Sequence, residues 1–260
     1  MTAAVADEAF LHRLADLAAD AVLPHFRKPG RVDSKGAAGF DPVTEADRAA
    51  EAAMRRLIGE HFPSHGIVGE ELGAEREGAD YVWVLDPIDG TRAFISGVPV
   101  WGVLIGLLHE GKPVLGMMAQ PFTKERFFGD GRTARYAGPD GARPMRTRAC
   151  PDIGQAALFT TSPHLFAPEE RTSYQRVEAA ARMARYGCDS YAYCMLAMGL
   201  VDLVVEAGLH PYDIVALIPI IEGAGGRVTT WSGGPAAGGG RILASGDASL
   251  HEKAMSLLRT

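Results

Sequence analysis

The stretch from Trp83 to Phe94, WVLDPIDGTRAF, sets the tightest limit on what this chain can become. Trp83, Val84 and Leu85 are apolar and β-prone, so they predict a buried strand, and Pro87, which has no N–H to donate, ends its ladder. Asp86 and Asp89 stand on either side of Pro87-Ile88 at that strand end, and Gly90 and Thr91 follow. Two carboxylates fixed there suit a hard cation such as Mg2+, which takes oxygen ligands in near-octahedral array. Gly90 and Thr91 are small enough for a phosphate to approach backbone N–H groups where a helical turn begins. The same letters also describe a tight turn, because Asp and Gly favour turns through local hydrogen bonds.

Other acids recur at the ends of elements. Gly66 to Val68 reads as a short strand followed by Glu70 and Glu71; neighbouring side chains there point to opposite faces, so one can face a site while the other faces solvent. Val201 to Glu206 reads as an apolar strand ending in an acid, and Asp213 falls in the first turn of a helix predicted over 211–223, with Pro211 at its start. Asp47 falls in the first turn of a helix over 44–61, where Thr44 and Asp47 resemble a capping box. Asp47 and Asp213 each have a second, structural reading as acids answering a helix dipole. Ligand sites in α/β architectures gather at such edges, which favours a shared site for Glu70, Asp86, Asp89, Glu206 and Asp213.

Composition narrows the class. The 260 residues carry a net charge of −6, which argues against a partner such as nucleic acid that needs a basic face. Three cysteines without CxxC spacing suggest neither a disulfide framework nor a zinc site, so a reducing cytoplasm is expected. Asp7 and Glu8 stand where a secretion signal would be basic, and the most apolar stretch, 97–108, is far short of the ~20 residues of a membrane helix. No membrane partner is expected.

In order, three- and four-residue apolar spacing from Phe10 to Val22 predicts a scaffold helix ending near Pro24. Lys35, in a Gly-rich connection, reads equally as a solvated lysine or a phosphate contact, and Asp41-Pro42 as a turn. Segments 101–108, 113–119 and 125–129 predict an antiparallel meander. Residues 131–152, rich in Gly, Pro and Arg, mark a lobe boundary, giving an N-terminal lobe over 1–145 and a C-terminal α/β lobe over 146–260. The second lobe alternates strands at 156–160, 183–186, 201–206, 227–230 and 242–244 with helices at 168–182, 190–198, 211–223 and from Asp247 to Leu258.

GEE at 69–71, DPIDGT at 86–91 and EAGLHPYDIVALIPIIEGAGG at 206–226 together resemble the inositol monophosphatase superfamily, over nearly the whole chain. Within it, WVLDPIDGTRAFISGVPVWG, GMMAQPFTKERFFGD and LHPYDIVALIPIIEGAGG look like the histidinol-phosphate phosphatase branch; Arg92 and Tyr212 depart from what inositol phosphatases more often carry. The resemblance implies a layered α/β/α/β/α sandwich, usually a homodimer, acting as a Mg2+-dependent phosphomonoesterase with about two or three ions per site. It implies Glu70, Asp86, Asp89, Asp213 and the Ile88 carbonyl as metal ligands, Asp47 and Thr91 with Glu70 as the group orienting the attacking water, and the Gly90 and Thr91 N–H groups as phosphate donors. Histidinol phosphate carries an ammonium and an imidazole, so its pocket needs carboxylates beyond those on metal. Glu206 and Asp189 are the candidates, with Asp189 equally readable as the N-cap of the helix at 190–198, and Arg92 left for a phosphate or a neighbouring acid. The rival readings are an inositol or sugar phosphatase of the same superfamily, a non-catalytic binding protein on this fold, and a Ca2+ site without chemistry.

Overall fold

Alternation of side chains along the strands sorts this chain into five layers. The computed structural model describes residues 6–28, 32–34 and 42–259, with backbone alone at 32–34 and 42–44; Lys35, Asp41 and the side chain of Thr44 lie outside the described residues. The elements of the first half are α1 (Glu8–Val22), β1 (Val32–Ser34), β2 (Pro42–Thr44), α2 (Glu45–His61), β3 (Gly66–Gly69), β4 (Gly73–Glu75), β5 (Tyr81–Asp89), α3 (Thr91–Ile95), β6 (Gly102–His109), β7 (Lys112–Gln120), β8 (Glu125–Gly129), β9 (Ala134–Gly138) and β10 (Gly141–Pro144). Those of the second half are β11 (Ala157–Thr160), α4 (Pro168–Ala180), β12 (Met183–Tyr186), α5 (Asp189–Ala197), β13 (Leu203–Leu209), α6 (Pro211–Ile214), α7 (Leu217–Gly223), β14 (Arg227–Thr230), β15 (Gly240–Ser245) and α8 (Ala248–Arg259).

Eight strands form one sheet in the order β10-β9-β8-β7-β6-β5-β3-β4, and five form another in the order β12-β11-β13-β15-β14. On the large sheet, Val103, Ile105, Leu107 and Met117 face Leu11, Leu14, Met54 and Ile58 of α1 and α2. Leu104 and Met118, one residue out of phase, face Tyr193, Leu217 and Ile220 of α5 and α7. The small sheet repeats the pattern. Val204, Ile242 and Ala244 join that same middle core, while Leu203, Val205 and Leu243 pack on Tyr174, Val177, Leu250 and Leu258 of α4 and α8. The α/β/α/β/α sandwich expected from the sequence is therefore the architecture found.

A row of bare backbone lets the middle helices sit close. Gly106 pairs with Gly116 and Gly116 with Gly129 across three adjacent strands. A Cβ at Gly116 would lie 1.9 Å from the Ala216 carbonyl oxygen, and one at Gly129 would lie 2.3 Å from that of Pro219. No side chain fits between this row and the start of α7.

Four local differences from the sequence reading have physical reasons. Pro87 does not end β5. The strand continues to Asp89, which pairs with Gly102, and the register shift between Asp86 and Asp89 takes up the missing N–H as a bulge. Residues 134–144, read as irregular, add β9, in which only Ala134 and Tyr136 are buried, and the exposed edge strand β10, so the apolar pattern is too short to read. The helix at 211–223 is two pieces, because Pro219 cannot donate to the Val215 carbonyl and its ring crowds that position. Glu71, expected to face solvent, has a side chain only 2% exposed and pairs with Arg48 at 3.6 Å.

Candidate active site

The bulge in β5 is what makes the site. Residues three apart on a regular strand point to opposite faces, and the irregularity after Asp86 re-aims the chain so that both carboxylates converge. Asp213, from α6, joins them: one carboxylate oxygen from each of Asp86, Asp89 and Asp213 lies within 4.8 Å of the others. Glu70, at the exit of β3, lines the same cleft, together with Ile88, Gly90, Thr91, Arg92, Thr161, Asp189 and Glu206. The cleft holds about 240 Å³. Asp47, in the first turn of α2, is 2% exposed, and its charge acts on Asp86.

Each acid is held by a local bond that fixes its aim. Asp86 Oδ1 accepts from the Ile88 N–H at 3.0 Å, and Asp213 Oδ2 accepts from the His210 N–H at 2.6 Å, a bond back to the residue before its helix. Asp89 Oδ2 accepts from the Ser190 N–H at 2.8 Å. A carboxylate on the large sheet thus caps α5, a helix of the other half of the chain. Asp189 is itself the first residue of α5, after Cys188 at the N-cap position, and its φ is +42°. Asp tolerates this left-handed region better than most residues. Asp189 lies against the Gly90 turn, where a Cβ at Gly90 would come 3.1 Å from Asp189 Oδ2.

Crowded acids with little counter-charge hold their protons. Burial, then Glu70, Asp89, Asp213 and Asp47, push Asp86 well above the usual carboxylate range. Burial and Asp189 raise Asp89 to about 7, against the hydrogen bonds from Ser190. Burial, then Asp89 and Glu70, raise Asp213 to about 8. Glu206 is raised to about 8 by burial even though Thr161 N–H, Thr161 hydroxyl and Thr160 hydroxyl donate to it at 2.6, 3.0 and 3.1 Å. Asp189 is raised by burial too, opposed by the nearby Thr161 hydroxyl and Arg92 guanidinium.

The Thr91 hydroxyl donates to the Ile88 carbonyl at 3.2 Å, one turn back at the start of α3. With its single proton so directed, the hydroxyl has only lone pairs to offer a water. Gly90 precedes it at φ +81°, a left-handed turn that suits glycine.

The donor set fits a hard divalent cation: carboxylate oxygens and a backbone carbonyl, no thiolate or imidazole, and charges that repel one another until a cation neutralises them. Residues that the sequence reading passed over are Thr160, Thr161 and Ser190, which hold Glu206 and Asp89, and Leu165, which lines the cleft wall. The run Thr160-Thr161-Ser162 at the end of a predicted strand was the one signal for the two threonines.

Comparison with known proteins supports the same reading. The chain is 47% identical over 257 residues to the bifunctional phosphatase IMPL2, chloroplastic, of Arabidopsis thaliana, covering 94% of this chain and 72% of that one. It is 34% identical over 232 residues to a histidinol-phosphatase of Mycobacterium tuberculosis, covering 88% of each. Among solved structures, an inositol monophosphatase from Zymomonas mobilis superposes with a TM-score of 0.87 at 43% identity, covering 97% of each chain. The inositol monophosphatase family model matches residues 6–260. With the acid cluster and the five-layer fold, that match establishes the chain as a member of the inositol monophosphatase family and a phosphatase of that family.

Proposed function

We propose that this phosphatase hydrolyses L-histidinol phosphate to L-histidinol and phosphate, a step of histidine biosynthesis, using Mg2+. The observation that carries the substrate choice is the surplus of carboxylates in the cleft. Asp189 and Glu206 line it beside Glu70, Asp86, Asp89 and Asp213, with Arg92 the one cation among its described lining residues. A leaving group bearing an ammonium and an imidazole matches that surplus, and a neutral polyol does not.

In this reading Glu70, Asp86, Asp89, Asp213 and the Ile88 carbonyl hold Mg2+, which when bound supplies water activation and neutralises charge on the phosphate and the departing oxygen. Thr91, its proton directed to Ile88, accepts a hydrogen bond from the attacking water, which Asp47 and Glu70 help to orient. The Gly90 and Thr91 N–H groups meet the phosphate oxygens. Asp189 and Glu206 receive the ammonium and imidazole, and Arg92 partly offsets Asp189, whose charge bears on Asp89. The three cysteines are buried free thiols, in keeping with a cytoplasmic setting; among the described residues no helix is long and apolar enough to cross a membrane. A homodimer, and the division into lobes 1–145 and 146–260, belong to the same proposal.

Phosphate release from L-histidinol phosphate and from inositol 1-phosphate, each with Mg2+ and with chelator, tests it. A Mg2+-dependent preference for histidinol phosphate of at least about tenfold in kcat/KM, 1.4 kcal/mol, is expected. Equal or reversed rates would make the chain an inositol or sugar phosphatase, and release from neither would leave a binding protein.

A further inference from the structure

Glu51 has no place in the cleft, yet it is fully buried and all its bonds go to one purpose. Its Oε2 accepts from the Glu71 N–H at 2.7 Å and its Oε1 from the Leu72 N–H at 3.2 Å, the two peptides that immediately follow Glu70. Arg55, one turn further along α2, donates through Nε to Glu51 Oε1 at 2.7 Å and reaches past it to the Gly73 carbonyl and Glu75. Gly69, on the other side of Glu70, leaves the room this needs: a Cβ there would lie 1.9 Å from Glu51 Oε1. A buried charge without partners is costly, and here it is satisfied by backbone N–H groups and one guanidinium.

The spacing along α2 gives the clamp its meaning. Asp47, Glu51 and Arg55 recur every four residues and so share one face of the helix. Asp47 acts on the acid cluster from that face, and Glu51 grips the turn that presents Glu70 to the same cluster. We propose that Glu51 is a positioning residue for cation binding: it fixes the peptides after Glu70 so that this carboxylate, and not Glu71, faces the cleft. Glu71 is turned instead toward Arg48. The inference rests on the metal role proposed for Glu70, and its test is cation binding, so it stands or falls apart from the choice of substrate.

The experiment is calorimetric Mg2+ titration of the full chain and of two variants, with melting temperature in chelator measured alongside. Glu51→Gln puts an NH2 group or a weaker acceptor against the Glu71 and Leu72 donors. Gly69→Ala keeps the acid itself and displaces it, because the atoms that its methyl would meet first are those of the Glu51 carboxylate. Each variant is expected to weaken Mg2+ binding by about 10–100-fold, the usual cost of losing a group that orients a ligand. The double variant is expected to be no weaker than Glu51→Gln alone, since both lesions remove one grip. The KM for the phosphate ester at saturating Mg2+ should stay within about twofold of the parent, under the tenfold change that 1.4 kcal/mol brings. If both variants lower the melting temperature but bind Mg2+ as the parent does, Glu51 is a structural staple and the proposal is overturned. Additive losses in the double variant would overturn it as well.

Discussion

Asp86 and Asp202 are both aspartates buried to 1% exposure, and the chain treats them in opposite ways. Arg148 meets both oxygens of Asp202 at 2.6 Å, and the Ala157 N–H adds a third bond at 2.8 Å. Burial alone would raise that carboxyl, but these bonds overcome it and hold it below the usual range. Asp86 is surrounded by Glu70, Asp89, Asp213 and Asp47, and it is pushed far up. This chain is able to neutralise a buried carboxylate where the architecture needs one. The crowd around Asp86, left without such a partner among the chain's cations, fits the cation site proposed above.

The sharpest way to break that contrast is to remove a charge from the cluster and measure turnover. Asp89→Asn should lower kcat/KM by more than 100-fold, exceeding the roughly 10–100-fold expected of Asp47→Asn, to which the proposed function gives the orienting of water and not the holding of the cation. Small, equal losses in steady-state rates would contradict both roles.

Stability should move the other way. In chelator, Asp86→Asn relieves repulsion and keeps the acceptor for the Ile88 N–H, so the melting temperature should rise. Asp202→Asn gives up a charge-assisted pair with Arg148 and should cost about 2 kcal/mol, a fall of roughly 4–8 °C for a chain this size. Melts of the two variants shifting in the same direction would erase the distinction.

Protons offer a third test. Asp213 and Glu206 keep theirs up to about pH 8 in the folded chain, and release them near pH 4 when unfolded. The folded state binds more protons in between, so these groups make stability fall as pH rises. His251, buried against Thr229 and Ser245 and lowered to about 4, works in the opposite sense but only below pH 6.5. Melts in chelator between pH 6.5 and 8 should therefore lose on the order of 1–3 kcal/mol, and Mg2+ should flatten the slope by displacing the protons. A slope indifferent to Mg2+ would separate these acids from the cation.

Asp189 lies between the two extremes, partly compensated by Arg92 and Thr161. Asp189→Asn should raise KM about tenfold for an amine-bearing ester and leave that for a neutral sugar phosphate unchanged. A uniform rise measured with both esters would assign Asp189 to structure.

Much of this was legible before any coordinates. Turn residues located β8, β12 and β14 to the residue, because β8 and β12 are bounded by glycine or charge on both sides and β14 starts after the glycines Gly225 and Gly226. The acids at element ends pointed to one cleft because strand ends and helix starts are where side chains escape the ladder. What stayed hidden depended on contacts between distant segments. Nothing in the sequence near Asp189 says that Asp89, a hundred residues earlier, supplies the cap of α5. Glu51 reads as an ordinary helical acid until the turn after Glu70 is laid against it. β10 is exposed on both faces and carries no period to find.

The glycine row of Gly106, Gly116 and Gly129 has a bearing well beyond packing. Asp213 reaches the cluster from α6, which leads directly into the helix resting on that row, so the missing methyl groups act as a depth gauge for the last carboxylate. A single added carbon on a central strand would lift the helix by a fraction of its own contact distance and withdraw Asp213 from its two companions. In the proposed reading, affinity for the cation is thus written partly in residues that never come near it, and a catalogue of the cleft alone would miss them.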